Sequence, residues 1–202
     1  MKMTLIWKHP FTCVVAGPSQ CGKTSFILEF LRHANEVIVP APEHIIWHYG
    51  TYQSIFNSLQ NVEFIEGIPN VNNLRKNSLI ILDDLMQEAD DRVTKIFTKF
   101  SHHNDISVLF LTQNLFFKNL RTLTLNAHYL VLFKSPRDAS QITFLARQMY
   151  PGKSKYLLDA FTDATAEPYS YLVIDLTATT SDQHRLRSGI FPNQAHHVYI
   201  PK

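Results

Sequence analysis

VVAGPSQCGKTSF, residues 14–26, holds two of the six glycines of a 202-residue chain. They stand five residues apart, and Lys23 and Thr24 follow directly. The run Gly17-Pro18-Ser19-Gln20-Cys21-Gly22-Lys23-Thr24 fits G-x-x-x-x-G-K-[ST] without exception. An apolar stretch precedes it, and KTSFILEFLRHA (23–34) follows with Phe26, Phe30 and Leu31 on one helical stripe. Glycine is needed at both ends because such a loop turns sharply and brings its backbone close to phosphate. Its N–H groups and the helix N-terminus then point at the anion. Residues 17–25, ending at Ser25, are therefore the expected nucleotide-phosphate site. Lys23 is assigned to the β- and γ-phosphates and the Thr24 hydroxyl to Mg²⁺. Cys21 reads as a tolerated small residue in the loop.

A magnesium site needs a second anchor. SLIILDDL (78–85) supplies a buried strand ending in two acids. Asp83 is assigned to the metal, through a bound water, and Asp84 to accepting a proton from an attacking water. SVLFLTQN (107–114) is a third strong strand, and Gln113 stands where it emerges. An amide both donates and accepts, so Gln113 can orient water or sense the γ-phosphate.

Around these motifs strands and helices alternate. Strands are expected over 11–17, 44–50, 62–67, 78–85, 107–114, 128–134 and 169–177. Helices are expected over 23–34, 51–60 with Thr51 as its cap, 89–103, and on either side of Pro151-Gly152. Val93, Ile96, Phe97 and Phe100 share one face of the helix over 89–103. This pattern predicts a single α/β domain over 1–202, with a mostly parallel sheet flanked by helices and an irregular tail over about 178–202. No apolar run reaches the ~18 residues of a membrane helix. The N-terminus lacks the pattern of a signal peptide, so no secretion is expected. Two cysteines make no disulfide framework and fit a reducing compartment. The histidine pairs His102-His103 and His196-His197 face apart, and no zinc site is assembled from them.

Charge is unevenly placed. Residues 118–155 hold seven basic residues, Lys118, Arg121, Lys134, Arg137, Arg147, Lys153 and Lys155, against Asp138 alone. That asymmetry suggests a polyanionic partner, or a solvated basic face.

The blocks AGPSQCGKTSF, LIILDDLM, LTQNLF, LNAHYLVLFKSPRD and RLRSGIFP, taken in order, resemble the FtsK–HerA branch of the P-loop ATPases. More narrowly, the chain is similar to poxvirus-type genome-packaging ATPases, including those of virophages and the Polinton/Maverick and adintovirus group. The resemblance implies a RecA/ASCE-like P-loop NTPase fold with the Gln113 strand lying between the phosphate-loop strand and the Asp83 strand. It implies a homo-oligomeric ring that hydrolyses ATP with Mg²⁺ and drives double-stranded DNA, regardless of sequence, into a capsid through portal-vertex or capsid proteins. The place of work would be intracellular, at the site of capsid assembly, or in the virion. Many relatives carry Glu where this chain has Asp84, one methylene shorter. The chain is too short for the nuclease domain of terminase motors, so no DNA cutting is expected.

A ring motor of this kind uses an arginine of one subunit on the γ-phosphate held by the next. Arg121 and Arg137 are the two candidates, with DNA-phosphate or surface roles as the alternatives. Two other functions stay open on sequence: a nucleotide-gated scaffold without turnover, and a small-molecule or nucleoside kinase. An Asp83-Asp84 pair followed by LTQN argues for water as the acceptor and against a kinase, and an intact Lys23, Thr24, Asp83 and Asp84 argues against a scaffold.

Overall fold

The computed structural model describes residues 6–85, 91–101, 104–115 and 120–201. Ala89 and Asp90 of the expected helix, with His102, His103, Phe116, Phe117 and Lys118, lie outside the described residues. The strands are β1 (Trp7–Lys8), β2 (Thr12–Ala16), β3 (Ile38–Val39), β4 (His44–Tyr49), β5 (Glu63–Glu66), β6 (Ser78–Asp83), β7 (Ile106–Thr112), β8 (Tyr129–Phe133), β9 (Tyr171–Asp175), β10 (Leu186–Ser188) and β11 (His197–Tyr199). The helices are α1 (Lys23–Arg32), α2 (Ala34–Val37), α3 (Asp91–Lys95), α4 (Leu120–Leu125), α5 (Ala139–Met149) and α6 (Ser154–Ala164).

Nine strands make one sheet in the order β11-β10-β9-β8-β2-β7-β6-β4-β5. From β8 to β5 every pairing is parallel, while β9, β10 and β11 join antiparallel to their neighbours. This is the expected α/β architecture, with β7 between β2 and β6. Alternate residues of each central strand feed opposite faces. Val14, Ile80, Leu82, Val108 and Phe110 meet residues of α3 to α6 on one side. Val15, Ile81, Leu109 and Leu111 meet Phe26, Ile27 and Phe30 of α1 on the other. Covered on both faces, β6 and β7 need continuous apolar runs, and every residue of both strands is buried. Among the described residues no helix is long and apolar enough to cross a membrane.

Two expectations need correction. The segment over 51–60 is not a helix capped by Thr51. It is extended at Gln53 and forms one 3-10 turn at Ser54–Ser58. Its apolar residues are too few for a long amphipathic face: Phe56 alone is buried, stacked on Phe64 and tilted against Trp47. The tail is not irregular throughout. β10 and β11 extend the sheet, and Ile190 and Phe191 are buried. Phe191 packs against the rings of Phe26 and Phe30, fastening the tail to α1. These strands are three residues each, too short to show alternation in sequence.

After β2 the chain crosses to the β4 side, whereas the other neighbour beyond the loop is β8. The loop after β2 thus opens at a point where the winding reverses, which is where open α/β sheets place ligands.

Candidate functional site

Gly17 to Gly22 form the turn between β2 and α1, and Thr24 and Ser25 lie in the first turn of that helix. Gly22 is the helix N-cap, with φ 107° and no side chain capping the end. Gln20 is also left-handed, at φ 63°. A Cβ on Gly17 would come within 2.6 Å of the Cys21 Sγ and 2.7 Å of the Phe133 Cβ, so only glycine fits there. The Gly17 N–H donates to the Thr112 carbonyl at 3.1 Å, fixing the loop to the end of β7. Among the described residues, the N–H groups of Ser19, Gln20, Gly22 and Thr24 donate no hydrogen bond to the chain. They form a cluster of donors at a helix N-terminus.

The Lys23 ammonium curls over this loop and donates to the Gly17 carbonyl at 2.7 Å and the Pro18 carbonyl at 2.9 Å. Burial lowers its pKa, against the pull of Cys21, Asp83 and Asp84. The Cys21 thiol is pushed up by burial despite Lys23, so it stays protonated and acts as a small filler against Gly17.

Asp83 closes β6 and is 6% exposed. Its sequence parity places it with Ile81, on the sheet face that α1 covers. Burial raises its pKa to about 6, with Asp84 adding to the rise and Lys23 and the Trp47 side chain opposing it. Gln53 Nε2 donates to its carboxylate over a long 3.3 Å. Asp84 is exposed and left-handed at φ 55°, a region that aspartate enters more readily than most residues. Thr51 Oγ1 donates to its carboxylate at 3.3 Å. The bend is held from β4: Gly50 N–H donates to the Asp83 carbonyl at 3.0 Å. A Cβ on Gly50 would stand 2.4 Å from the Asp84 carbonyl oxygen. Gly50, Thr51 and Gln53 are thus the supports of the acidic pair. Sequence reasoning missed them; the available signal was a glycine closing an apolar strand in a chain with few glycines.

Gln113 follows β7 and is exposed, sharing a small cleft with Ala16, Gly17, Phe133, Ser135 and Gln141. The next residue, Asn114, accepts a bond from Gln141 Nε2 at 2.9 Å, which ties this end of β7 to α5. The structure therefore brings Gly17–Thr24, Asp83, Asp84 and Gln113 to one end of the sheet.

The two arginines are placed differently. Arg137 is exposed in the turn Pro136–Asp138 after β8, and its neighbour Pro136 lines a cleft with Gln20 and Cys21. Arg121 is exposed in the first turn of α4. Just past that helix, the Asn126 carbonyl accepts from Thr12 Oγ1, at the opposite end of β2 from the loop. Arg137 thus lies near the loop end of the sheet, whereas the helix of Arg121 runs into the opposite end.

No family model matches the chain. No curated protein matches it either. Among solved structures, it is similar to the genome packaging NTPase B204 from Sulfolobus turreted icosahedral virus 2 in complex with ATP-gammaS, at 10% identity and a TM-score of 0.49, over 95% of this chain and 98% of that one. The same protein in complex with AMPPCP aligns at 13% identity and a TM-score of 0.49, over 96% of this chain and 98% of that one.

Proposed function

We propose that this chain is an ATP hydrolase whose cycle moves double-stranded DNA into a viral capsid, a genome-packaging motor of the FtsK–HerA kind. The observation that carries hydrolysis is the convergence of Lys23, Asp83 and Asp84 at one end of the sheet, with Gln113 just past the strand between them. In this reading the loop N–H groups and Lys23 hold the phosphates. Asp84, steadied through Thr51 and Gly50, takes the proton of the attacking water. Gln113 orients that water or reads the γ-phosphate.

The donor set suits Mg²⁺, with hard oxygens at the Thr24 hydroxyl and the Asp83 carboxylate. Burial, with Asp84 adding to it, raises the pKa of Asp83, and a divalent cation held there would favour the charged form. Thr24 and Asp83 would hold the ion, which would supply positive charge to offset the charge developing on the phosphates.

DNA translocation rests on the sequence resemblance and on the basic segment. Arg121, Lys134, Arg137, Arg147, Lys153 and Lys155 are all exposed, as contacts to a phosphate backbone require. A homo-oligomeric ring, an arginine finger at Arg137 or Arg121, and capsid or portal-vertex partners inside the infected cell complete the proposal.

The test is release of phosphate from Mg-ATP without any acceptor, with and without double-stranded DNA. Free phosphate, increased by DNA of any sequence, is expected, with DNA affinity falling steeply as salt rises. Phosphate transfer only to an added acceptor identifies a kinase. Bound nucleotide without turnover identifies a scaffold. DNA binding that survives high salt or prefers one short site overturns the motor.

A further inference from the structure

The phosphate loop has two flanks. On one, toward β6 and β4, stand Asp83 and Asp84, both in electrostatic contact with Lys23. On the other, toward β8 and β9, lies an open cleft of about 350 Å³. It is bounded by Gln20 and Cys21 of the loop, Lys134 and Pro136 after β8, and Glu167 and Tyr169 in the turn before β9. That volume lies within the ~300–1,000 Å³ range of small-molecule sites.

Tyr169 is 70% exposed, more than any other large apolar or aromatic side chain among the described residues. Its backbone is left-handed at φ 65°, which a bulky residue adopts at a cost. Its Cβ and Cδ1 would lie 3.2 and 3.3 Å from a Cβ on Gly22, so the root of the side chain is packed against the phosphate loop itself. Folding alone gains little from an aromatic ring held in strained backbone and left open to water.

We infer that this cleft seats the base of the bound nucleotide, with the Tyr169 ring as its stacking surface. The inference rests on the nucleotide-binding reading above. The terminal phosphate belongs beside Lys23, the acidic pair and Gln113. A triphosphate laid along the loop from that end must leave by the opposite flank, and its base then arrives at Tyr169. Stacking on one aromatic face tolerates any base, while Lys134, Glu167 and Gln20 offer charged and polar groups to its edge.

The experiment compares ATP with inorganic tripolyphosphate, which has the phosphates and no base. Affinities are measured by calorimetry for the wild type, Tyr169→Ala and Tyr169→Phe. The wild type binds both ligands, with ATP the tighter. Tyr169→Ala weakens ATP about tenfold, the effect of losing one base–aromatic stack, and leaves tripolyphosphate unchanged. Tyr169→Phe keeps the ring and the ATP affinity. An unchanged ATP affinity in Tyr169→Ala overturns the inference. So does an equal loss for both ligands, which reduces Tyr169 to a support for Gly22. A wild type that binds neither ligand defeats the nucleotide reading itself, and this inference with it.

Discussion

Two aspartates end buried strands in this molecule, and their surroundings differ. Asp175 closes β9 and is 3% exposed. Its carboxylate accepts from the Thr177 N–H at 2.9 Å, the Thr177 hydroxyl at 2.7 Å and the Thr180 hydroxyl at 2.7 Å. Asp83 closes β6 at 6% exposure, with a long bond from Gln53 and a second carboxylate beside it. Asp175 satisfies the ordinary requirement for burying a charge, and Asp83 does not. Because β9 runs antiparallel to β8, Asp175 lies opposite Tyr129, at the start of β8 and away from the phosphate loop. A strand-end carboxylate is structural where turn donors surround it. Where few are supplied, beside a cluster of backbone N–H groups, the carboxylate is the one proposed here to hold a cation.

The largest expected effects are on turnover at the loop end. Lys23→Ala removes the single cation of the loop and is expected to abolish phosphate release. Asp84→Asn keeps shape and removes the base, and is expected to cut turnover by ~10²–10⁴ with Mg-ATP still bound. An Asp84→Asn protein near wild-type rate removes Asp84 from the chemistry.

The paired aspartates come next. Asp175→Ala strands three donors and is expected to destabilise the fold by about 3 kcal/mol in urea titration. Asp83→Asn should instead stabilise the nucleotide-free protein above pH 6, while Mg-dependent nucleotide binding is lost. The sign follows from the raised folded pKa. The stability linked to Asp83 is fully present below its ordinary value of 3.8 and is lost as pH rises through about 6. A tenfold change in proton affinity is worth about 1.4 kcal/mol. Melting temperatures of the wild type should therefore fall across that window relative to Asp83→Asn. Parallel pH profiles for the two proteins erase the contrast between the two aspartates.

Gly50→Ala forces its new methyl against the Asp84 carbonyl and is expected to cost about 1–3 kcal/mol, with turnover reduced alongside. Thr51→Val removes one long, exposed hydrogen bond. It should lower turnover only a few-fold and leave stability within about 0.5 kcal/mol. A Thr51→Val effect as large as that of Asp84→Asn would make Thr51 a direct participant rather than a support.

The expected helix over 51–60 shows why part of the site was illegible. Its helical pattern was weak, and the residues at its start serve something distant instead. Thr51 and Gln53 reach carboxylates 33 and 30 positions away in the chain. Hydrogen bonds of that separation leave no periodicity to read. The tail fails for a related reason: Gly189, at φ 62°, packs where a Cβ would stand 1.9 Å from the Ala195 carbonyl oxygen. That tight turn returns the chain to form β11, and one glycine in a polar stretch does not announce it.

By itself the sequence determined the loop, the helix that follows it and the central strands. Each is a local pattern: fixed glycine spacing where backbone must approach an anion, apolar runs where both sheet faces are covered, and acids where a buried strand emerges. Only the tertiary structure decided how the sheet continues past those central strands, with β9, β10 and β11 added antiparallel beyond β8. It alone separated Asp83 from Asp175, because the donors around a carboxylate come from turns whose paths are set by packing. It alone set Tyr169 against Gly22, 147 residues apart in the chain. Side-chain chemistry is written residue by residue, whereas the environment that makes it reactive is assembled from segments that meet only when the sheet closes over its two cores.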